Sequence, residues 1–197
     1  MSKVVAVVGS YRRGGNTDRV VEAILAGARE KGAETETIHL LDRPIEFCTN
    51  CRECAQAPGT ERGRCVQKDG LEALLCELET ADALVMASPV NYGNTTAIFR
   101  RFLERTLGYA SWPWGGGMPK GRRKELTRKA VLVATGAMPG FLIPLTTGTG
   151  TALGMAAQAL SARVVGRLWV GFMAQERHPA LPAKVLAKAR QLGWKLA

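Results

Sequence analysis

The chain has 197 residues, 46% hydrophobic and 22% charged, values of an ordinary globular protein that set aside disorder and a fibrous architecture. No apolar run approaches the roughly 18 residues needed to cross a bilayer. The apolar part of the first ten residues (MSKVVAVVGS) is also too short for a secretory leader, so a cytoplasmic protein without membrane contact is expected. The formal net charge of +10 favours anionic partners and is silent about fold.

In chain order, Lys3 to Val8 is a nearly unbroken apolar run, the pattern of a strand buried on both faces. Thr17 to Lys31 places Val20, Val21, Ile24, Leu25 and Ala28 at helical spacing, closed by Gly32. Thr35 to Leu40 alternates like a strand nearer a sheet edge. An irregular insertion at about 41–68 then carries four of the five cysteines. Leu71 to Glu79 reads as helix, with Cys76 as ordinary core. Ala83 to Ala87 reads as the third strand. The next helix carries Phe99, Phe102, Leu103, Thr106 and Leu107 on one side and Arg100, Arg101, Glu104 and Arg105 on the other. A basic, aromatic loop at about 108–127 precedes strand four, Ala130 to Ala134. A small-residue helix near 149–161, a fifth strand near 164–171 and a helix over 182–196 complete residues 1–197, read as a single domain.

Strands alternating with helices imply right-handed crossovers and an α/β fold with a doubly wound parallel sheet, whose ligand crevice lies beyond the carboxyl ends of the strands. Three loops there stand out. Gly9-Ser10-Tyr11-Arg12-Arg13-Gly14-Gly15-Asn16-Thr17 joins a strand to a helix N-terminus, a natural anion cup. A Walker loop would put lysine and then a hydroxyl residue directly after Gly14; Gly15 and Asn16 stand there instead. The dinucleotide fingerprint is also missing, which leaves a cup for one terminal phosphate. Ser88 to Asn94 (SPVNYGN) offers backbone donors and an aromatic wall to a flat ring. Thr135 to Gly140 (TGAMPG) is small enough for a ring to lie against the backbone.

Together, G-S-x-R-x-x-G-N-T after strand one, S-P-V-x-Y-G after strand three and the following F-R-R-F-L-E-R helix resemble the NADPH-dependent FMN reductase family of the flavodoxin-like superfamily, over roughly residues 3–175. That resemblance implies a three-layer flavodoxin-like fold with strand order 2-1-3-4-5. It implies an FMN phosphate at Ser10, Arg12, Asn16 and Thr17, an isoalloxazine along Pro89, Val90, Asn91, Tyr92 and Gly93, and a site completed by Thr135 and Gly136. It also implies a homodimer or homotetramer. The activity that follows is an FMN-dependent oxidoreductase, passing electrons from NAD(P)H or a reduced carrier to a quinone, metal or other small-molecule acceptor.

Cys48, Cys51 and Cys54 form C-x2-C-x2-C, with Cys65 ten residues on. Four such thiols can hold a compact cluster or a tetrahedral zinc, or stand as free or disulfide-forming thiols; all three readings remain open. The run also resembles the iron–sulfur flavoprotein branch of the superfamily, although the last gap is longer here. That resemblance implies a [4Fe–4S] cluster relaying electrons between an acidic, ferredoxin-like donor and FMN. Basic residues over 120–129 beside Trp112 and Trp114 are read as a solvated loop, a lid or a docking face, and no nucleic-acid partner is expected. His39 and His178 have no partner in the pattern and are given no catalytic role.

Overall fold

The structure is a computed structural model and describes residues 1–176 and 179–197; His178 lies outside the described residues. Its centre is a five-stranded parallel sheet of β1 (Lys3–Val8), β2 (Glu34–His39), β3 (Ala83–Pro89), β4 (Arg128–Thr135) and β5 (Ala162–Val170). The spatial order is 2-1-3-4-5, the flavodoxin-like, doubly wound arrangement. Val4 through Val8 are fully buried. Their alternation sends Val5 and Val7 to one core, and Val4, Ala6 and Val8 to the other, as pleating requires.

Helices α1 (Asn16–Glu30) and α5 (Ala183–Trp194) cover one face of the sheet, and α2 (Leu71–Glu79), α3 (Ala97–Arg105) and α4 (Thr149–Ala159) the other. Among the described residues no helix is long and apolar enough to span a membrane. Glycine sets the distance between α1 and α5. A Cβ on Gly193 would stand 1.9 Å from the Ile24 carbonyl oxygen, and one on Gly27 would stand 2.2 Å from that of Arg190.

The structure corrects the sequence pattern at several points. Strand β3 continues through Ser88 and Pro89, because both pair in register with β4 and proline still offers its carbonyl. Strand β5 starts earlier, at Ala162, and its register with β4 shifts between Ala130 and Val131. Cys76 is exposed, since Leu71, Leu74, Leu75 and Leu78 take the core face of α2. The 108–127 loop contains a short hairpin, Ala110–Ser111 against Lys120–Gly121. Arg105, expected on the polar face of α3, is buried because acceptors on the 41–68 insertion and in the 65–69 stretch reach it from outside the helix.

That insertion has almost no regular structure beyond two 3-10 turns, Leu40–Asp42 and Glu53–Ala55. It docks on the hairpin segment: the Gly63 N–H donates to the Gly108 carbonyl at 2.9 Å, and that of Trp112 to Ala55 at 2.8 Å. The packing of α5 on α1 yields a direct test. Gly193→Val forces methyl groups into the Ile24 backbone and is expected to lower stability by about 1–3 kcal/mol, the usual range for overpacking. Urea unfolding measures it, and an unchanged midpoint would show that the two helices part without cost.

Candidate functional site

The first loop leaves β1 at Gly9, whose N–H donates to Ala87 at 2.8 Å. A Cβ at Gly9 would meet Phe99 at 2.6 Å, so the chain passes directly over α3. Thr96 at the head of α3 ties the same point down: its hydroxyl donates to the Gly9 carbonyl at 2.6 Å. Ser10 and Arg12 close a small turn, the Arg12 N–H donating to Ser10 Oγ at 3.1 Å. Gly14 takes the left-handed conformation with φ +64°, and its N–H donates to Asp18 at 2.7 Å. Gly15 precedes α1 in extended conformation and no side chain caps the helix. The first-turn N–H groups and the positive end of the helix dipole are therefore left for a ligand.

The other strand ends close around this cup. The Thr17 and Thr135 hydroxyls share a buried hydrogen bond of 2.8 Å, which locks the loop after β4 onto α1. The Val90 N–H donates to Thr135 at 2.8 Å. The Asn16 amide donates to the Met173 carbonyl at 3.1 Å, drawing in a fourth loop, the one after β5. A cleft of about 350 Å3 results, lined by Ser10, Arg12, Asn16 and Thr17 from the first loop, Pro89, Val90 and Asn91 from the second, and Thr135 and Gly136 from the third. That volume lies within the range of small-ligand sites.

Two residues of the sequence-derived set, Tyr92 and Gly93, do not line the cleft. Both have positive φ, +45° and +74°, and the Tyr92 ring is fully exposed. Conversely, Tyr11, Gly15, Ala137, Met173 and Ala174 line it without having been singled out from the sequence. Met173 and Ala174 follow a strand end like the other loops, and that position was the one available signal for them. A larger hollow of about 490 Å3 lies between α3, α4 and the hairpin, against Leu103, Leu107 and Met155. It stands away from the strand ends where the three loops converge. His39 ends β2 with its Nδ1 buried and, among the described residues, unpaired; burial pushes its pKa down.

The cysteine insertion sits on buried guanidinium groups. Arg105, with a 1% exposed side chain, pairs with Asp69 at 2.8 Å and donates to the Glu46 carbonyl at 2.6 Å and Gln67 Oε1 at 3.0 Å. It also reaches Cys65 Sγ at 3.4 Å. Arg122 donates to the carbonyls of Gly108, Ala57, Gly59 and Cys54. Arg62 bridges Glu72 and Glu79. Arg52, left-handed at φ +63°, stacks on Trp112 and Trp114 at 3.5 and 4.2 Å from their ring centres. Arg13 pairs with Asp42, linking the insertion to the first loop.

The four thiols are neighbours. Burial pushes the Cys54 thiol up, and Cys65, Cys48 and Cys51 around it push the same way. Asn50 is left-handed at φ +55°, and its N–H donates to Cys48 Sγ at 3.4 Å. Among the described residues no three His, Cys, Asp or Glu side chains gather closely enough to hold a single metal ion.

Residues 2–177 match the family model for NADPH-dependent FMN reductase. An iron–sulfur flavoprotein of Archaeoglobus fulgidus is 36% identical over 111 residues, which are 56% of this chain and 48% of that protein. One from Methanocaldococcus jannaschii is 33% identical over 104 residues, 53% of this chain and 51% of that protein. The chain thus spans about half the length of the curated relatives it matches. Among solved structures, an NAD(P)H:quinone oxidoreductase from Methanothermobacter marburgensis superposes with TM-score 0.70 at 21% identity, covering 100% of this chain and 99% of that one. At that identity the likeness establishes the fold.

The Arg105–Asp69 pair predicts an acid-sensitive insertion. Burial alone would push the Asp69 carboxyl up, but Arg105 and the N–H groups of Glu46 and Leu71 more than offset it and hold its pKa below the usual value. A depressed folded pKa adds stability above the unfolded value of about 3.9, and that stability is lost as pH falls through the folded pKa. Cleavage within residues 41–68 by an acid-active protease should therefore rise below about pH 4. In Asp69→Asn that acid response should be lost, with cleavage by a protease active at about pH 7 already raised over wild type; a variant that keeps the wild-type acid response would rule the pair out as the anchor.

Proposed function

The chain belongs to the NADPH-dependent FMN reductase family, and on that premise we propose that its cleft binds FMN and that the protein is an FMN-dependent oxidoreductase. One observation carries this reading: the uncapped N-terminus of α1 opens into a cleft that also collects the ends of β3 and β4. The residues present fit the group. Terminal phosphate needs free N–H donors and a cation, which the α1 N-terminus and the exposed Arg12 supply, with Ser10 beside them. A flat ring needs small residues and an apolar wall. Gly136 is one such residue: a Cβ there would come within 3.4 Å of Val90 and Ile143.

When bound, FMN supplies the redox chemistry itself, so the protein's part is binding, orientation and electrostatics. Arg12 and the first turn of α1 hold and neutralise the phosphate. Thr17 and Thr135 keep the first and third loops in register, while Asn16 holds the loop after β5 against the cup. Pro89, Val90, Asn91 and Gly136 form the wall for the ring, and Tyr92 and Gly93 stand beyond it as an exposed turn. The proposed donor is NAD(P)H or a reduced carrier, and the proposed acceptor is a quinone, metal complex or other small molecule. The proposal includes a cytoplasmic location and assembly as a homodimer or homotetramer.

A finer reading is favoured by the four neighbouring thiols: a [4Fe–4S] cluster at Cys48, Cys51, Cys54 and Cys65, which would make the protein an iron–sulfur flavoprotein fed by an acidic, ferredoxin-like donor. The name iron–sulfur flavoprotein on the relatives supports it.

Both readings are tested on anaerobically purified protein. A two-band flavin spectrum is expected, and colourless protein that does not take up added FMN would refute the binding site. Roughly four irons and four sulfides per chain would establish the cluster, and iron-free protein after reconstitution would refute it. Arg12→Ala with Asn16→Ala removes a charged donor and a loop anchor. At about 1.5–3 kcal/mol for a charged hydrogen bond, FMN should bind roughly 10- to 100-fold more weakly, measured by fluorescence titration.

A further inference from the structure

We propose that the hollow between α3, α4 and the hairpin is a second ligand site, one that takes a small organic carboxylate with an apolar ring or chain. At about 490 Å3 it lies within the range of small-ligand sites, and it shares no lining residue with the cleft at the strand ends. The observation that carries the proposal is Arg122, which lines the hollow and is only 8% exposed. A charge so deeply buried is normally paired. The other two buried guanidinium groups of this region obey that rule: Arg105 has Asp69, and Arg62 has Glu72 and Glu79.

Among the described residues Arg122 has no carboxylate. It donates to the carbonyls of Gly108 at 2.9 Å, Ala57 at 2.8 Å, Gly59 at 3.2 Å and Cys54 at 3.2 Å. These bonds satisfy N–H groups and leave the positive charge unbalanced. A guanidinium also has one more N–H than they use. Arg123 and Lys124 line the same hollow, both exposed and, among the described residues, without an ion pair. The acidic lining residue, Glu104, is already engaged by Arg100 at 3.1 Å. Beside these cations the wall is hydrocarbon: Leu103 is buried, Leu107 is half-buried and Met155 is 55% exposed. Unbalanced cations next to uncovered apolar surface suit an anion with an apolar body. A second copy of this chain suits the hollow less well, because a two-fold contact would set the same cations of both copies against each other.

The test is calorimetric titration of the whole chain with naphthoate, against naphthylmethanol as the neutral analogue and naphthylmethylamine as the cation, each with and without saturating FMN. Naphthoate should bind about tenfold or more tightly than the neutral analogue, whether or not FMN is present. Arg122→Met should weaken it roughly 10- to 100-fold. Arg123→Ala with Lys124→Ala, both at the surface, should weaken it roughly 3- to 20-fold. Lys184→Ala with Lys188→Ala removes the same charge from exposed positions of α5, on the other face of the sheet, and should leave it unchanged. Equal binding of the three naphthalenes, an equal loss in the α5 variant, displacement by FMN, or no naphthoate binding at all would overturn the proposal. If Arg122→Met does not fold, the Arg123/Lys124 variant and an NOE from the naphthoate ring to the Met155 methyl group decide, and a missing NOE rejects the site.

Discussion

Every polar backbone group buried in this molecule has to find a partner, and the architecture follows from how that is met in three settings. In β1, β3 and β4 both faces of the strand are covered, so the parallel ladder is the one available partner and the strands become continuous apolar runs. Where the ladder stops at the carboxyl edge, hydroxyls take over: Thr96 answers the Gly9 carbonyl, and Ser88 accepts from the Thr96 N–H. The N-terminus of α1 is where the pattern is left open. Its lack of a side-chain cap is a structural deficit that a bound phosphate would fill.

The third setting is the insertion after β2. Its chain makes no sheet and only short turns, so guanidinium groups do there what a ladder does elsewhere. Arg122 gathers four carbonyls, and Arg105 gathers one carbonyl, one amide oxygen, one carboxylate and one sulfur. Buried ion pairs add little net stability compared with apolar packing, yet removing one partner is costly because the other charge is left behind. Such groups hold one conformation of a loop rather than strengthening the fold at large. That is the property a set of four thiols needs if they are to face one another.

Helix α3 touches both the cleft and the cysteine insertion. Its apolar face, with Phe99 and Phe102 edge to face at 5.9 Å, belongs to the main core, and its two ends belong to two different sites. The cup and the cysteine insertion meet a second time where Arg13 pairs with Asp42. A helix packed on a sheet holds these two regions at a stiffer separation than the irregular insertion could.

The linear order of residues already determined the sheet, its five strands and the three loops at its carboxyl edge. Burial on both faces, a 3.6-residue apolar period and glycine at tight turns are local properties written into adjacent positions. The nine residues that line the cleft were legible through the family resemblance, which rests on the recognisable runs after the strand ends. What the tertiary structure alone decided was where long-range partners fall. Arg105 looked like a surface charge because helical period counts only neighbours on α3, while its acceptors lie 36 to 59 residues away along the chain. Met173 joined the cleft through an amide 157 residues distant. The cysteine insertion and the hairpin segment, separate stretches in sequence, became one unit through backbone bonds that no periodicity encodes. Local pattern measures which side chains leave water; which buried charge meets which acceptor depends on the whole fold having formed.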